Sequence, residues 1–431
     1  MEQVSIKDLS QFVDQEVEIK AWVSNFRSSG KIAFWQLRDG AGFAQAILNS
    51  TDLDEVKWQE AQKVTLETSV KIIGKVSKHP KKEEYEIQVT DFEFYQIAEE
   101  YPIAKKDHGV DFLLDNRHLW LRSRKMVAIM KVRSTYIQAR DEFFRKEGFH
   151  RFDAPIMQPM QCEGGSTLFE VKYYKDKQYL SQSWQLYAEA GVFGLEKIYN
   201  MGPTFRAEKS KTSRHLSEFW MAEAEVAWAD LHDISELAKR ELKYCLKIVA
   251  EERAEELKQL GKDAKEILKM VKAEWPTIKY REALKILKTK CKMDVPFGKD
   301  LRTIEEEELM KHFDVPIVVT HYPVEVMAFY KPRDPEQIDE ALCFDMLAPE
   351  GYGEIIGGSQ RSLDIKDMEE RLKKDGEDVK EYGWYFDLRK YGSIPHSGYG
   401  IGVERIVRWV CGLDNIKDAI PFPRTMDRYK P

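Results

Sequence analysis

The sequence predicts an α+β protein in which a small five-stranded β-barrel precedes a larger part built from helices and antiparallel strands. Three observations carry that prediction. The first hundred residues alternate apolar and polar side chains with the two-residue period of strands. From about Lys125 the period lengthens to that of an amphipathic helix. Farther on, Phe205-Arg206-Ala207-Glu208 and Glu218-Phe219-Trp220-Met221-Ala222-Glu223 read as two strands of a hairpin around a polar loop. A length of 431 residues leaves room for two or three domains.

The barrel strands are expected at 17–23, 32–39, 42–48, 69–76 and 84–89, separated by Gly, Asp and Ser. Five short strands fit an OB-fold, the common nucleic-acid-binding barrel, over residues 1–100. That segment holds 12 Lys and Arg against 18 Asp and Glu, so its total charge argues for no polyanion. Locally, Arg27, Lys31, Phe34, Arg38 and Gln45 gather on the second and third strands, where OB-folds stack bases and hold phosphates. Phe34 or Trp35 could equally belong to the core.

A connector is expected over 101–125, rich in breaks and charge, and the second domain over 126–431. Its first helix starts near Lys125 and stops at Gly148. The extended stretch after it contains Pro155, which suits an edge or interface strand. Residues 230–275 read as a solvated, charged helix pair within a helical insertion around 230–300. Strands return at 316–320, 328–330 and 343–358. There is no internal repeat.

Composition narrows the function classes. Hydrophobic residues at 43% and charged residues at 33% describe a chain able to bury sizeable cores. No run of about 18 apolar residues occurs, and Met1-Glu2-Gln3-Val4 lacks the pattern of a signal peptide, so a cytosolic address is expected. Five cysteines without a CxxC pair suggest neither a zinc site nor a disulfide framework. The HExxH, GxSxG and GxxxxGK[ST] signatures are all missing. A net charge of −7 speaks against a general nucleic-acid coater, though not against local patches.

The hairpin joins Arg206, aromatic Phe219 and the acidic Glu223 and Glu225 around a loop carrying Lys209, Lys211, Arg214 and His215. A nucleotide needs that set: a cation for phosphate, a flat face for the base, carboxylates for metal or amine. Alone, such a hairpin is more often an ordinary surface. A second segment, 345–361, sets Asp345, Glu354 and Arg361 along glycine-rich backbone that can approach a ligand closely. Carboxylates with phosphate oxygens are the usual holders of Mg²⁺. A third, 396–409, places Gly402, Glu404 and Arg405 at a helix start.

Together the three segments resemble the shared motifs of class II aminoacyl-tRNA synthetases. FRAE with EFWMAEAE is similar to the second motif and GIGVERI to the third. The stretch that starts at Phe149 and ends at Pro159 is similar to the first, which in that class lies at a dimer interface. A barrel ahead of the catalytic domain resembles the subgroup serving Asp, Asn and Lys. Within it, the runs 179–190, 214–220 and 420–425 are most similar to the asparagine branch. Ala188 stands where aspartyl relatives carry a Lys for the substrate carboxylate, and Glu223 where they carry Asp. A neutral amide needs no such countercharge.

The resemblance implies an antiparallel sheet flanked by helices and a homodimer. It implies a ligase that activates L-asparagine with ATP to asparaginyl-adenylate, with Mg²⁺, and charges the 3′ end of tRNA(Asn). Arg206, Arg405 and Glu354 would be catalytic. Arg206 would grip the α-phosphate and the amino acid's carboxylate. Glu208, Arg214, His215 and Leu216 would reach ATP, Phe219 would stack on adenine, and Arg405 would cover its other face and meet the γ-phosphate. Gly402 and Glu404 would line that pocket. Glu354 would bind Mg²⁺ with Asp345 as a second ligand, where some aspartyl relatives have a Ser at the position of Gly357. Glu163 would hold the ammonium with Gln185 beside it. Arg361 would grip the side-chain carbonyl, and Glu223 and Glu225 would accept from amide or amine. Trp184 departs from the small residue or Pro usual there. Arg27, Phe34 and Gln45 would meet the anticodon. Three alternatives stand beside this: an aspartyl enzyme of relaxed specificity, a barrel-less ammonia-dependent asparagine synthetase paralogue, and an RNA-binding module without catalysis.

Overall fold

The computed structural model describes residues 2–103, 106–162, 168–209 and 212–430. They form two compact units, Met1–Gly109 and Val110–Pro431. All five expected barrel strands are present: β1 (Glu16–Ser29), β2 (Ile32–Arg38), β3 (Phe43–Asn49), β4 (Thr68–Lys78) and β5 (Tyr85–Gln96). They pair in the order β1-β2-β3-β5-β4, and β4 pairs back onto β1, which closes the barrel. Every pairing is antiparallel except β3 with β5.

The two-residue alternation decides what each side chain of β2 does. Trp35 and Leu37 point inward and are buried with Val23, Ile72 and Phe92. The Trp35 ring meets Phe92 edge-on at 5.1 Å, so Trp35 is core and Phe34 lies on the outer face. Arg38 does not join the outer patch. It is buried, and both terminal nitrogens donate to Glu67 at 2.7 and 2.8 Å, which makes it a fastener of the barrel.

In the second unit, helix α1 (Arg124–Lys146) begins where the Ser123 hydroxyl accepts from Met126 N, and stops before Gly148 at φ +79°. The connector expected over 101–125 is shorter than the sequence suggests. Val110–Asp115 and Arg117–Trp120 are already helical. Arg117 is fully buried and donates to the carbonyls of Lys417, Ile420 and Pro421 at 3.0, 2.7 and 2.8 Å, which fixes this segment to the C-terminal part of its own unit.

The central sheet contains β6 (His150–Arg151), β7 (Lys197–Phe205), β8 (Glu218–Ala227), β9 (Thr277–Lys279), β10 (Ile317–Thr320), β11 (Cys343–Ala348), β12 (Gly353–Gln360) and β13 (His396–Gly402). Its order is β9-β10-β11-β12-β13-β8-β7-β6, antiparallel in the middle and parallel at each end. The 328–330 stretch is a turn rather than a strand. Helix α2 (Gln185–Leu195) follows a buried turn, and α3 (Leu231–Glu252) lies alongside α1.

α3 corrects the expectation of a solvated pair. Ile234, Leu237, Leu242, Cys245, Leu246 and Val249 are all buried on one face. Beyond it, β9 extends the sheet, so the region around 230–300 is partly sheet edge. Among the buried residues of α3, Glu241 accepts from Arg140 Nε of α1 at 2.7 Å. Arg140 also donates to Asn200 O and Glu223 O at 2.8 and 2.9 Å, tying helices to the hairpin strands β7 and β8.

Candidate active site

Register builds the site floor. Across four adjacent strands, Glu223 pairs with Gly400, Gly400 with Gly357, and Gly357 with Asp345. Paired residues point to the same side of a sheet, so this row carries carboxylates at its ends and no side chain between them. The next row runs Glu225, Gly398, Ser359 and Cys343. Over this floor lies a cavity of about 560 Å³, bordered by the loop after β7 and the start of helix α4 (Val403–Val410). The described residues bring nearly every expected site residue to it: Gln185, Arg206, Glu208, Arg214, His215, Leu216, Phe219, Glu223, Glu225, Asp345, Glu354, Arg361, Gly402, Glu404 and Arg405. Glu163 lies outside the described residues.

At one end, Arg206 leaves β7 with its guanidinium 5.4 Å above the Phe219 ring, and its Nε is buried without a hydrogen-bond partner among the described residues. A buried donor left so is costly unless an anion completes it. Arg214 donates to Glu307 and to Gly351 O at 2.7 and 2.6 Å. Arg405 Nη1 lies 3.0 Å from a Glu354 carboxylate oxygen and donates to Glu354 O at 2.9 Å. Burial, then the Arg405 charge, lowers the His215 pKa.

The acidic groups fit a divalent cation. A Cβ on Gly357 would sit 3.4 Å from both Asp345 Oδ1 and Glu354 Oε1, so the two carboxylates converge over a position that has no side chain. Burial and then Glu354 push the Asp345 carboxyl well above its ordinary range. Burial also acts to raise Glu354, but Arg405 and Arg206 outweigh it and hold its carboxyl low. Glu306 is pushed up to about 7 by burial and then by Glu354. Excess negative charge that suppresses ionisation is the condition a hard cation relieves.

At the other end, Arg361 donates through Nε and Nη2 to Glu225 at 2.8 Å each, and through Nη1 to Ser359 Oγ at 2.9 Å. Glu223 accepts from Ser183 Oγ at 2.5 Å and Trp184 N at 3.1 Å, so its carboxylate first shapes the turn before α2. Trp184 borders the cavity, its indole N–H donating to Phe152 O at 2.7 Å. Two expectations shift. Ala188 does not line the cavity; it is fully buried in an apolar cluster with Trp184, Val192, Ile198 and Ala227. Glu404 borders the cavity but is fully buried, with Arg133 Nη1 at 2.8 Å and Trp220 N donating at 3.0 Å, so it braces β8.

Sequence reading missed Asp300, Glu306, Tyr330 and Lys331, of which all but Glu306 line the cavity. Glu306 sits within the run Glu305 to Glu308, which looks like any solvated acidic face; the folded chain marks it out, with the Glu354 N–H donating to it at 3.3 Å and Arg214 Nη1 at 3.5 Å. Close packing of the floor gives a direct prediction. A Cβ on Gly398 would lie 1.9 Å from Glu225 Oε2, 2.4 Å from Arg361 Nη2 and 2.6 Å from Ala224 O. Because that last atom is backbone, Gly398→Ala is expected to cost about 1–3 kcal/mol or more and to lower Tm. An unchanged thermal unfolding curve would contradict the contact.

The barrel's outer face keeps part of the expected patch. Arg27 lies 4.4 Å over the Phe34 ring, and Gln45 donates to Glu86 at 2.7 Å.

Comparison with known proteins agrees with this geometry. Residues 109–426 match the family model of tRNA synthetases class II (D, K and N), and residues 17–95 match that of the OB-fold nucleic acid binding domain. The chain is 44% identical over 431 residues, the full length of both, to the asparagine–tRNA ligase of Lactobacillus johnsonii. It is 45% identical over 438 residues to that of Symbiobacterium thermophilum, again covering all of each. Its fold is similar to the crystal structure of asparaginyl-tRNA synthetase from Pyrococcus horikoshii complexed with asparaginyl-adenylate: TM-score 0.95, 42% identity, 99% of each chain covered.

Proposed function

The chain belongs to the class II tRNA synthetases (D, K and N), and from that we infer that its cavity joins asparagine to ATP and passes the product to tRNA(Asn). It is an aminoacyl-tRNA ligase. Asparagine's carboxylate attacks the α-phosphorus, asparaginyl-adenylate and pyrophosphate form, and the terminal ribose of the tRNA takes the acyl group. No protein nucleophile is required; the work is positioning and charge stabilisation.

The observation that carries the asparagine reading is the Arg361–Glu225 pair. Its guanidinium is already balanced by a bidentate carboxylate, which leaves N–H groups for a carbonyl oxygen and no unbalanced cation for a second carboxylate. We assign Arg206 to the α-phosphate on the strength of its unpartnered buried Nε, and Phe219 to adenine. Arg214, His215 and Arg405 surround the phosphates. Mg²⁺ held by Glu354 and Asp345 would neutralise phosphate charge there.

A homodimer through the stretch from Phe149 to Pro159 is supported by the edge position of β6 and by exposed Ile156 and Met157. A cytosolic place suits five free cysteines. Among the described residues, no helix is long and apolar enough to cross a membrane.

The deciding experiment is amino-acid-dependent ATP–pyrophosphate exchange, comparing asparagine with aspartate. Strong preference for asparagine is expected; equal or better exchange with aspartate overturns the specificity. Phe34→Ala separates the units: exchange should be unaffected, whereas tRNA charging at limiting tRNA should fall by about 10- to 100-fold through loss of a stacked base. Unaltered charging would remove Phe34 from the tRNA surface.

A further inference from the structure

We propose that Glu189, which does not itself line the cavity, is a specificity-setting positioning residue that makes the pocket take a neutral amide and refuse a carboxylate. The proposal rests on the reading of this cavity as the asparagine site. Glu189 lies on α2 and is fully buried. Its two oxygens accept from Gln185 Nε2 at 3.0 Å, from Tyr385 Oη at 2.8 and 2.9 Å, from His396 Nε2 at 3.0 Å and from Arg389 Nη2. Arg361 Nε stands 3.9 Å away. So many donors saturate a carboxylate, which has about four lone-pair sites, and leave it none for a substrate. The trio Glu189, Glu225 and His396 has metal-like spacing, but two guanidiniums already occupy its carboxylates.

Glu189 therefore acts through two neighbours that do line the cavity. The first is Gln185. A carboxylate cannot donate, so the amide must turn its NH₂ to Glu189 and its oxygen away, presenting an acceptor to an ammonium or amide N–H. The second is Arg361. Its guanidinium stands between Glu225 and Glu189, two carboxylates beside the cation of this cluster that lines the cavity; Arg389, paired to Glu189, does not line it. Asparagine adds no charge there, whereas aspartate would add a third carboxylate. Burial alone would raise the Glu189 carboxyl, but Arg389, His396 and Arg361 hold it well below the ordinary range.

Glu189→Gln keeps the shape and removes the charge. The expected result is a fall of about tenfold or more in the ratio of asparagine to aspartate kcat/KM in pyrophosphate exchange, with partial recovery of the ratio in Glu189→Asp. Arg389→Gln removes the opposite charge from the same cluster and should leave the ratio unchanged or raise it. A general loosening would lower the ratio in both variants alike, and that outcome overturns the proposal, as does an unchanged ratio in Glu189→Gln with both substrates weakened equally. If Glu189→Gln does not fold, the Arg389→Gln ratio decides: a fall refutes the charge argument. Preference for aspartate in the wild-type protein would instead refute the underlying assignment of the pocket.

Discussion

Arg206→Ala is expected to lower asparagine-dependent pyrophosphate exchange by about a thousandfold or more while leaving Tm nearly unchanged. A single preorganised donor aimed at developing charge is worth about 10²–10³ in rate, and Arg206 offers a charged fork rather than one neutral donor. The stability side follows from what it touches. Its Nε has no partner among the described residues, and its contact with Phe219 at 5.4 Å is worth about 1 kcal/mol at most in a half-exposed site. Removing it costs the fold little and the reaction a great deal. Arg206→Lys should recover little, because an ammonium keeps the charge and loses the bidentate geometry. Exchange within tenfold of wild type in the alanine variant would remove Arg206 from the centre of the site.

Arg361→Ala should behave differently, damaging both function and fold. It leaves Glu225 buried without its partner, and breaking such a pair costs about 3–5 kcal/mol. Two effects can then be separated. Arg361→Ala combined with Glu225→Gln should regain much of the lost Tm, because no charge is stranded, yet it should still fail with asparagine. Binding of ATP, read by equilibrium titration in the absence of amino acid, should change less than threefold in the double variant. Unchanged KM and kcat for asparagine in the single variant would refute the assignment; an equal loss of ATP affinity would show that Arg361 organises the whole cavity.

The barrel was legible because each strand exposes one face, so the two-residue period is written plainly into 17–23, 32–39 and 69–76. The hairpin was legible because Arg206, Phe219 and Glu223 come from two segments close in sequence. What stayed hidden depends on burial and register. Glu189 and Glu241 look like ordinary charged helical positions until their guanidinium partners, distant in sequence, are seen beside them. High charge content likewise disguised the buried face of α3. Ala188 drew attention as a neutral substitute in the pocket wall, whereas the structure gives it to the core. The transverse row from Glu223 through Gly400 and Gly357 to Asp345 needs the pairing of four strands, which no single stretch of chain records.

Arg117 bears on how the two units can be parted. Its three carbonyl partners, Lys417, Ile420 and Pro421, border the tail that comes back to the hairpin loop, where Ser217 N donates to Arg424 O at 2.8 Å. Cutting the chain at the start of α1 would remove Arg117 and strand those carbonyls inside the protein. A cut before Val110 takes nothing from them. A truncation that removes residues 1–109 therefore keeps Arg117 together with its three carbonyl partners, whereas one that begins at α1 does not.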